Sequence, residues 1–241
     1  MEFCSLLHQR YSEFAATLLE HWTKVLSMKR DERVSNPSKL RVDLRLYSEL
    51  VSVAVFSLKL GLPLLGNVLT TLVAQDKETL SNTSIIISFC KHCGDDYAGL
   101  VPRAMAKAAA ALGLEITSPT LLTAAKQKSV RNILTEYLAR VSTCLLATHR
   151  ELAMVERANR RTMMARGEVG PEQQERAARL KEELEKLRTN TEQMAEAMGE
   201  VMVELPKLET ERDEEEEAEL AEEIAPDALG VRAVFIHNSI S

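Results

Sequence analysis

Residues 85 to 103 read Ile-Ile-Ile-Ser-Phe-Cys-Lys-His-Cys-Gly-Asp-Asp-Tyr-Ala-Gly-Leu-Val-Pro-Arg and join an apolar run to a polar restart. The apolar run has the composition of a buried helix, and Gly94 is a residue type that commonly ends one. Two carboxylates and an aromatic follow at once, before the chain restarts at Pro102. The stretch therefore predicts the end of one helix, a polar connection and the beginning of a second helix.

Helical patterning continues on both sides of this stretch. Apolar residues recur at steps of three and four, and the segments begin at capping residues or prolines and end at glycines. No strand-like alternation occurs in the first 205 residues, and the short connections imply antiparallel neighbours. We predict an all-α fold of seven to nine helices, over residues 3–29, 37–61, 64–75, 82–93, 102–113, 119–147, 149–166 and 173–205.

The chain changes character after Leu205-Pro206, where acidic residues become frequent. The acidic run includes four successive glutamates, Glu214 to Glu217. Because like charges repel and little apolar surface is available, we predict a disordered acidic tail over residues 206–241, separate from a helical domain over residues 1–205. A strand-like patch at residues 231–236 leads us to expect a truncated isoform or gene model.

Charge and cysteine content restrict the class of protein. Residues 1–165 carry 21 Lys and Arg against 15 Asp and Glu, whereas residues 166–241 carry 9 against 21. We therefore expect a mildly basic body joined to an acidic extension. Four cysteines are too few for a disulfide framework, no secretory signal opens the chain, and polar residues interrupt every apolar run. These features predict an intracellular, cytoplasmic protein without membrane contact.

Cys90-Lys91-His92-Cys93 is a motif with the residue types of a metal or redox site. Zinc needs about four ligands, and no second Cys or His pair stands at a suitable spacing. A thioredoxin-like motif would begin a helix, whereas this one ends a predicted helix. Core packing of two small thiols and a metal or redox site both stay open as interpretations. We predict packing, with no metal and no cofactor.

The pair Asp95-Asp96 admits three interpretations: an acid–base site, a helix cap or a contact with a basic partner. Acid–base chemistry needs burial or a neighbouring charge that separates the two pKa values, whereas adjacent carboxylates in a turn simply cap the next helix. We predict a cap with solvated charge. The sequence contains no Ser/His/Asp set, no phosphate-binding glycine loop and no Glu-x-x-His pair, so we predict no enzymatic activity and no catalytic residue.

A stripe of arginines lies between residues 150 and 166. On a helix, Arg150, Arg157 and Arg161 share one face, and Arg160 flanks it. Such a stripe can contact RNA phosphates, weakly and without sequence specificity, because no aromatics alternate with the arginines. The alternative, which we favour, is internal pairing with neighbouring glutamates or with those of the acidic helix that follows. Both interpretations stay open.

Two blocks of the sequence resemble a known family. One is the stretch at residues 85–103, and the other runs from His149-Arg150-Glu151-Leu152 through Glu156-Arg157-Ala158-Asn159-Arg160-Arg161 to Gly167-Glu168. Together they resemble the first helical-repeat domain of the second up-frameshift family, in the class named after the middle domain of translation initiation factor four-gamma. The resemblance covers roughly residues 1–205 and implies stacked antiparallel helical hairpins, a HEAT-like solenoid.

The resemblance also implies a function. Members of this family are scaffolds of nonsense-mediated mRNA decay that link the decay helicase to the exon-junction complex, although the segments making those contacts lie outside the match. We therefore expect a monomeric scaffold for other decay factors, with RNA as a weak ligand. The alternative is a weak, non-specific RNA-binding adaptor in translation or RNA processing. The candidate contact residues are Asp95, Asp96, Tyr97, Arg103, Arg150, Arg157, Arg160 and Arg161.

Overall fold

Eight α-helices and no strand make up the part of the chain that the computed structural model describes, residues 1–206 apart from positions 30, 31, 78, 118 and 120. In chain order they are α1 (Glu2–Arg10), α2 (Phe14–Val25), α3 (Pro37–Ser52), α4 (Leu58–Gln75), α5 (Thr83–Ala98), α6 (Arg103–Leu112), α7 (Ala124–Arg166) and α8 (Pro171–Met198). The predicted all-α class is confirmed, with the stacked helices of a helical-repeat domain.

α5 is the central helix of the packed body and lies against α3, α7 and α8. Ile85, Ile86 and Ile87 are successive residues, and all three are buried. Three adjacent positions point to different sides of a helix, so a helix that buries all of them must be covered on nearly every side. The apolar run of the sequence is therefore the core of the fold.

Gly94 does not end α5, contrary to the prediction. The helix continues to Ala98 and stops at Gly99, whose φ of +58° is left-handed. The N–H of Leu100 donates to the carbonyl of Gly94 at 3.0 Å, which closes the helix end. Gly94 is small for a packing reason, because a Cβ added there would lie 2.7 Å from Cδ1 of Leu100.

The N-terminal segment forms two helices rather than the single helix predicted over residues 3–29. Tyr11, at the end of α1, has an extended backbone with φ −125° and ψ 113°, which redirects the chain before α2. Leu18 and Trp22 of α2 pack against the core, and the ring of Trp22 lies 5.8 Å from that of Tyr47. The break lets the apolar face of α2 turn onto the body.

The boundary between α3 and α4 also differs from the prediction. α3 ends at Ser52, and the turn that follows buries Val55 and Phe56. Their N–H groups both donate to the carbonyl of Leu50, at 3.0 and 3.3 Å, and hold the turn. Pro63, which stands just before the helix predicted over residues 64–75, lies inside α4, where its missing N–H removes one helical hydrogen bond.

One continuous helix, α7, replaces the two helices predicted over residues 119–147 and 149–166. It contains neither glycine nor proline, so nothing in its sequence ends the helix before Gly167, which has a φ of +75°. α8 begins at Pro171, two residues before the predicted start, with Gly170 as its N-cap, and it ends at Met198 rather than near residue 205. Gly199, with a φ of +77°, terminates it.

Asp76 is a fully buried carboxylate that joins α4, α5 and α7. Its Oδ2 accepts a hydrogen bond from the backbone N–H of Asn82 at 2.7 Å and one from the hydroxyl of Tyr137 at 2.6 Å. The hydroxyl of Ser81 donates to Oδ1 at 3.0 Å. A buried charge is tolerated only when its hydrogen bonds are made, so this cluster fixes three helices relative to one another.

Two arginines of α7 satisfy the carboxyl ends of neighbouring helices. Nη1 of Arg140 donates to the carbonyl of Val73 near the end of α4 at 2.7 Å. Nε of Arg131 donates to the carbonyl of Ala98 at 3.0 Å, and its Nη2 donates to Gly99. Cations are favourable where helical carbonyls lack partners, so both contacts anchor the first part of α7 to the body.

α4 is long and apolar enough, by length and composition, to cross a membrane, which corrects the expectation that polar residues interrupt every apolar run. Its residues Leu65, Val68, Leu69 and Leu72 lie in the protein core, the arrangement expected of a core helix. The acidic tail and the strand-like patch lie outside the described residues, and the predictions about them stay predictions.

Candidate functional site

The outer part of the α7–α8 hairpin, residues 153–186, carries no core residue, and we call it the arm. The last buried residue of α7 is Leu152, and the first buried residue of α8 is Leu187. α7 continues for 14 residues beyond Leu152, a distance of roughly 21 Å along its axis. The arm is therefore accessible surface held out from the body.

The arm is held together by a few contacts between its two helices. Val155, Leu180 and Leu184 are half-buried along the seam. Nη2 of Arg176 donates to Oε1 of Glu151 at 2.8 Å, where the arm leaves the body. This salt bridge is largely solvent-exposed, and pairs of that kind contribute little stability. The arm is thus a helical hairpin with much weaker anchoring than the body.

All four arginines of the predicted stripe are exposed, with Arg150 at the base of the arm and the other three, Arg157, Arg160 and Arg161, on it. The stretch from residue 150 to 166 carries five arginines against two glutamates, so this side of the arm is basic. Arg157 and Arg160 each also interact within the chain, whereas Glu151 is held by Arg176 from α8. The stripe is therefore accessible to a ligand and is at the same time partly engaged within the chain.

Asp95 and Asp96 lie in the last turn of α5, not in a connection between two helices. They therefore cannot cap the next helix, and the predicted cap is wrong. Asp95 is exposed, and Oδ2 of Asp96 accepts a hydrogen bond from the hydroxyl of Ser52 at 3.0 Å. Acidic side chains are unfavourable at a helix carboxyl end, and the guanidinium of Arg131 supplies the compensating positive charge there.

Tyr97 is fully buried, so it is a packing residue and not a surface contact in this conformation. Its hydroxyl donates to the carbonyl of Ser48 on α3 at 2.7 Å, and its ring lies 6.0 Å from that of Phe89. Burial raises the pKa of Tyr97 well above its usual value of 10.0, and the phenol stays protonated. Its place in the list of candidate contacts is therefore corrected.

Arg103 begins α6 and forms a salt bridge with Glu196 of α8, with 3.3 Å between Nε and Oε2. The other oxygen of Glu196 accepts a hydrogen bond from the backbone N–H of Ala104 at 2.7 Å. Glu196 thus caps the first turn of α6 and pairs with its first side chain, in accord with the preference for anions at helix amino ends. Arg103 has a structural partner and remains partly exposed.

The acidic candidates at the end of α5 lie far from the basic candidates on α7. Arg131 contacts the end of α5 beside Asp95 and Asp96, whereas Arg150 lies 19 residues further along the same helix. At the helical rise per residue, that separation is roughly 28 Å. The acidic end of α5 and the basic side of the arm are therefore two distinct surfaces.

Cys90 and Cys93 are both buried against the core, which agrees with the packing interpretation. Burial raises the pKa of each thiol to about 12, so both stay protonated near neutral pH and are poor ligands or nucleophiles. Among the described residues, no group of three or more His, Cys, Asp or Glu side chains could hold a metal ion. The motif serves the packing of α5 against its neighbours.

A groove of about 620 Å³ lies where α3, α5 and α8 meet, and it was not among the predicted sites. Arg41, Arg45 and Lys91 stand on its rim, and Val42 and Leu46 line its apolar wall. These residues come from segments some 50 positions apart, with Gln193 of α8 closing the third side. The only sequence signal was the charge-and-apolar pattern of residues 41–46, which an ordinary amphipathic helix also shows.

The chain is similar to curated proteins of one kind, and no family model matches it. It is 38% identical over 204 residues to mouse regulator of nonsense transcripts 2, and 37% identical over 207 residues to the human protein. These matches take up 85% and 86% of this chain but only 16% of each relative. The regulator of nonsense transcripts UPF2 of Arabidopsis thaliana is 26% identical over 206 residues, 82% of this chain and 17% of the relative.

A solved structure agrees with these relatives in fold. The crystal structure of the first MIF4G domain of human nonsense mediated decay factor UPF2 superposes with a TM-score of 0.79 at 38% sequence identity. The match covers 85% of this chain and 67% of that structure. The chain therefore belongs to the family of regulator of nonsense transcripts 2 and has the fold of its first MIF4G domain.

Proposed function

We propose that this chain is a non-catalytic scaffold domain that takes part in nonsense-mediated mRNA decay in the cytoplasm. The observation that carries the proposal is the joint likeness, in sequence and in fold, to the first MIF4G domain of a nonsense mediated decay factor. The match extends over nearly all of the helical region, which supports the same kind of role for this chain.

The distribution of polar groups supports a scaffold rather than an enzyme. Asp76 is the most deeply buried carboxylate among the described residues, and its hydrogen-bond partners there join helices to one another rather than facing a cavity. Arg131 and Arg140 are used in the same way, as caps for helical carbonyls. A rigid helical stack whose polar groups hold its helices in place is suited to holding partners at fixed separations.

The arm is the surface that we assign to a partner among the other decay factors. It offers an exposed basic side and two exposed methionines, Met163 and Met164, near its tip. Methionine and arginine are enriched at protein interfaces, the first because it adapts its shape and the second because it forms bidentate contacts. Assembly of the surveillance complex, including the exon-junction complex, is proposed for the protein that carries this domain.

Affinity purification of the whole chain from cell extract tests this role. We expect other decay factors to co-purify with it. Replacing Arg157, Arg160 and Arg161 by Glu should reduce their recovery, because the basic side of the arm then repels an acidic partner surface. The matched control replaces three exposed lysines away from the arm by Glu: Lys107, Lys126 and Lys128. If no decay factor is recovered with either the parent chain or the control, the scaffold proposal is wrong.

The exposed arginine stripe favours a second candidate function, a weak and non-specific RNA-binding adaptor in translation or RNA processing. Single-stranded RNA should then bind with micromolar or poorer affinity at physiological salt. Replacing Arg157, Arg160 and Arg161 by Ala should weaken binding and lower the salt slope by roughly 2, since each lost phosphate contact contributes about 0.7. A gel-shift titration at several salt concentrations measures both quantities, and tight binding that survives the changes rules out the stripe as the RNA surface.

A further inference from the structure

The groove between α3, α5 and α8 combines an apolar wall with a positively charged rim. Val42 and Leu46 of α3 are 59% and 37% exposed, and the buried Ile87 of α5 lines the same groove. The groove thus brings two exposed apolar side chains of α3 into one depression with cations of α3 and α5, a combination suited to binding. Its chemistry therefore indicates a segment that is both acidic and partly apolar.

The positive charge of the rim is only partly neutralised inside the groove. Arg45 is paired with Glu49, whose Oε1 lies 2.8 Å from its Nε. In the part of the chain that the structure describes, Arg41 and Lys91 form no ion pair, and Nζ of Lys91 donates to Oε1 of Gln193 at 2.9 Å. Two cations on one rim thus lack an acidic partner.

The pKa of His92, next to Lys91, responds to the same positive charges. The pKa of His92 is lowered from its ordinary value of 6.5, first by desolvation and then by the charges of Arg45 and Lys91, which outweigh the opposite influence of Glu49. At neutral pH the His92 ring is uncharged, so the positive charge of the rim comes from its two arginines and its lysine. An anion that entered the groove would meet cations on both α3 and α5.

We propose that this groove binds the acidic segment of the same chain, residues 209–223. The segment holds ten carboxylates and one arginine, and it includes Leu220, which supplies an apolar side chain for the wall. Charge complementarity of this kind directs a segment to one site and is weakened by salt. The contact is independent of the role in decay proposed above, because it lies within the chain.

The connection between the body and the acidic segment is short. Asn190 and Gln193 line the groove, and α8 ends five residues later at Met198, roughly 7.5 Å along its axis. The described chain continues from Met198 to Pro206, with Met202 packed against the core. Three residues from Pro206 to position 209, at most about 11 Å when extended, therefore connect the body to the acidic segment. A short tether produces effective concentrations in the millimolar range, so even a weak contact would be well populated.

Carbodiimide crosslinking of the whole chain, read by mass spectrometry, tests the proposal. The reagent joins a lysine amine to a carboxylate only when the two are in contact. We expect crosslinks from Lys91 to glutamates within residues 209–223, with yields that fall at high salt. Lys107 and Lys126 are exposed on other elements and serve as internal controls. Absence of the Lys91 crosslink, or equal yields at all three lysines, would overturn the proposal.

Two further experiments sharpen the result. Arg41→Glu keeps the reactive Lys91 and should lower its crosslink yield roughly five- to tenfold, whereas Arg41→Lys should leave it nearly unchanged. An unchanged yield in Arg41→Glu, with its thermal midpoint preserved, contradicts the assigned groove. Mixing isotopically labelled and unlabelled chains identifies the occupant: pairs of like label support a contact within one chain, and mixed pairs show that a second copy fills the groove instead.

Discussion

The body and the arm are built from the same two helices yet differ in what holds them. Between Leu134 and Leu152, α7 buries a residue on almost every turn, and its arginines cap two neighbouring helices. Beyond Leu152 no residue of α7 is buried, and half-buried side chains, with an exposed salt bridge at the base of the arm, join it to α8. The comparison teaches that helix formation and fold stability are separate properties: the arm is helical, but the body supplies the stability.

The largest expected effect comes from breaking the body at its buried carboxylate. Asp76→Ala removes the acceptor used by Asn82 N–H and the Tyr137 hydroxyl, and we expect a loss of about 3 to 5 kcal/mol in the free energy of unfolding. Glu182→Ala on the arm should change it by no more than about 0.5 kcal/mol. Urea denaturation measures both, and comparable losses would contradict the division between body and arm.

Gly199 and Gly167 both have a positive φ, so the same substitution can be compared in the body and in the arm. A Cβ at Gly199, at the body end of α8, would run into the carbonyl oxygen of Val101, whereas one at Gly167, at the tip of the arm, meets nothing within 4 Å. Gly167→Ala should cost about 1 to 2 kcal/mol, from its backbone conformation alone. Gly199→Ala should cost about 3 kcal/mol, since a steric clash adds to it. Thermal unfolding of the two variants decides, and equal midpoints would show that α8 is not closely seated on the body.

The buried thiols predict a pH dependence that belongs to the body. Because burial raises the pKa of Cys90 and Cys93 from 9.0 to about 12, their stabilising contribution is complete below pH 9 and is lost as the pH rises from 9 towards 12. Between pH 8 and pH 10 the free energy of unfolding should fall by about 1.4 kcal/mol per thiol. Cys90→Ala should remove about half of that fall, as denaturation at the two pH values will show. An unaltered pH slope would mean that the thiol does not titrate on unfolding.

The smallest expected effect is at the salt bridge of the arm. Arg176→Ala breaks the pair with Glu151, and because both groups are largely exposed we expect a loss of about 0.5 kcal/mol or less. Limited proteolysis at the arm should respond more than global unfolding does, since only local anchoring changes. A large drop in the thermal midpoint of the whole domain would instead show that the arm unfolds together with the body.

The sequence predicted most of the helices because caps, prolines and left-handed glycines act locally. For this reason Gly113 ends α6 where predicted, and Gly170-Pro171 begins α8 within two residues of the predicted start. Gly94 and Pro63 were misassigned because their roles depend on packing: Gly94 is small to admit Leu100, and Pro63 is tolerated near the start of α4. Local sequence cannot distinguish a glycine that ends a helix from one that makes room for a neighbour.

The candidate contacts were predicted less well, for a related reason. The arginine stripe is a property of one helix and was found, whereas the burial of Tyr97 depends on α3 packing over it. The groove needs residues from α3, α5 and α8 to come together, and no single stretch of sequence carries that information.

Hydrogen exchange of the free chain, followed by mass spectrometry, is the most direct test of a stable body carrying a weakly anchored arm. Amides of α5, at residues 85–98, should exchange only when the whole domain unfolds. Amides of the arm, at residues 157–181, should exchange at least roughly a hundredfold faster, through local opening. Equal protection in the two regions would contradict the account, because it would show that the arm belongs to the same cooperative unit as the body.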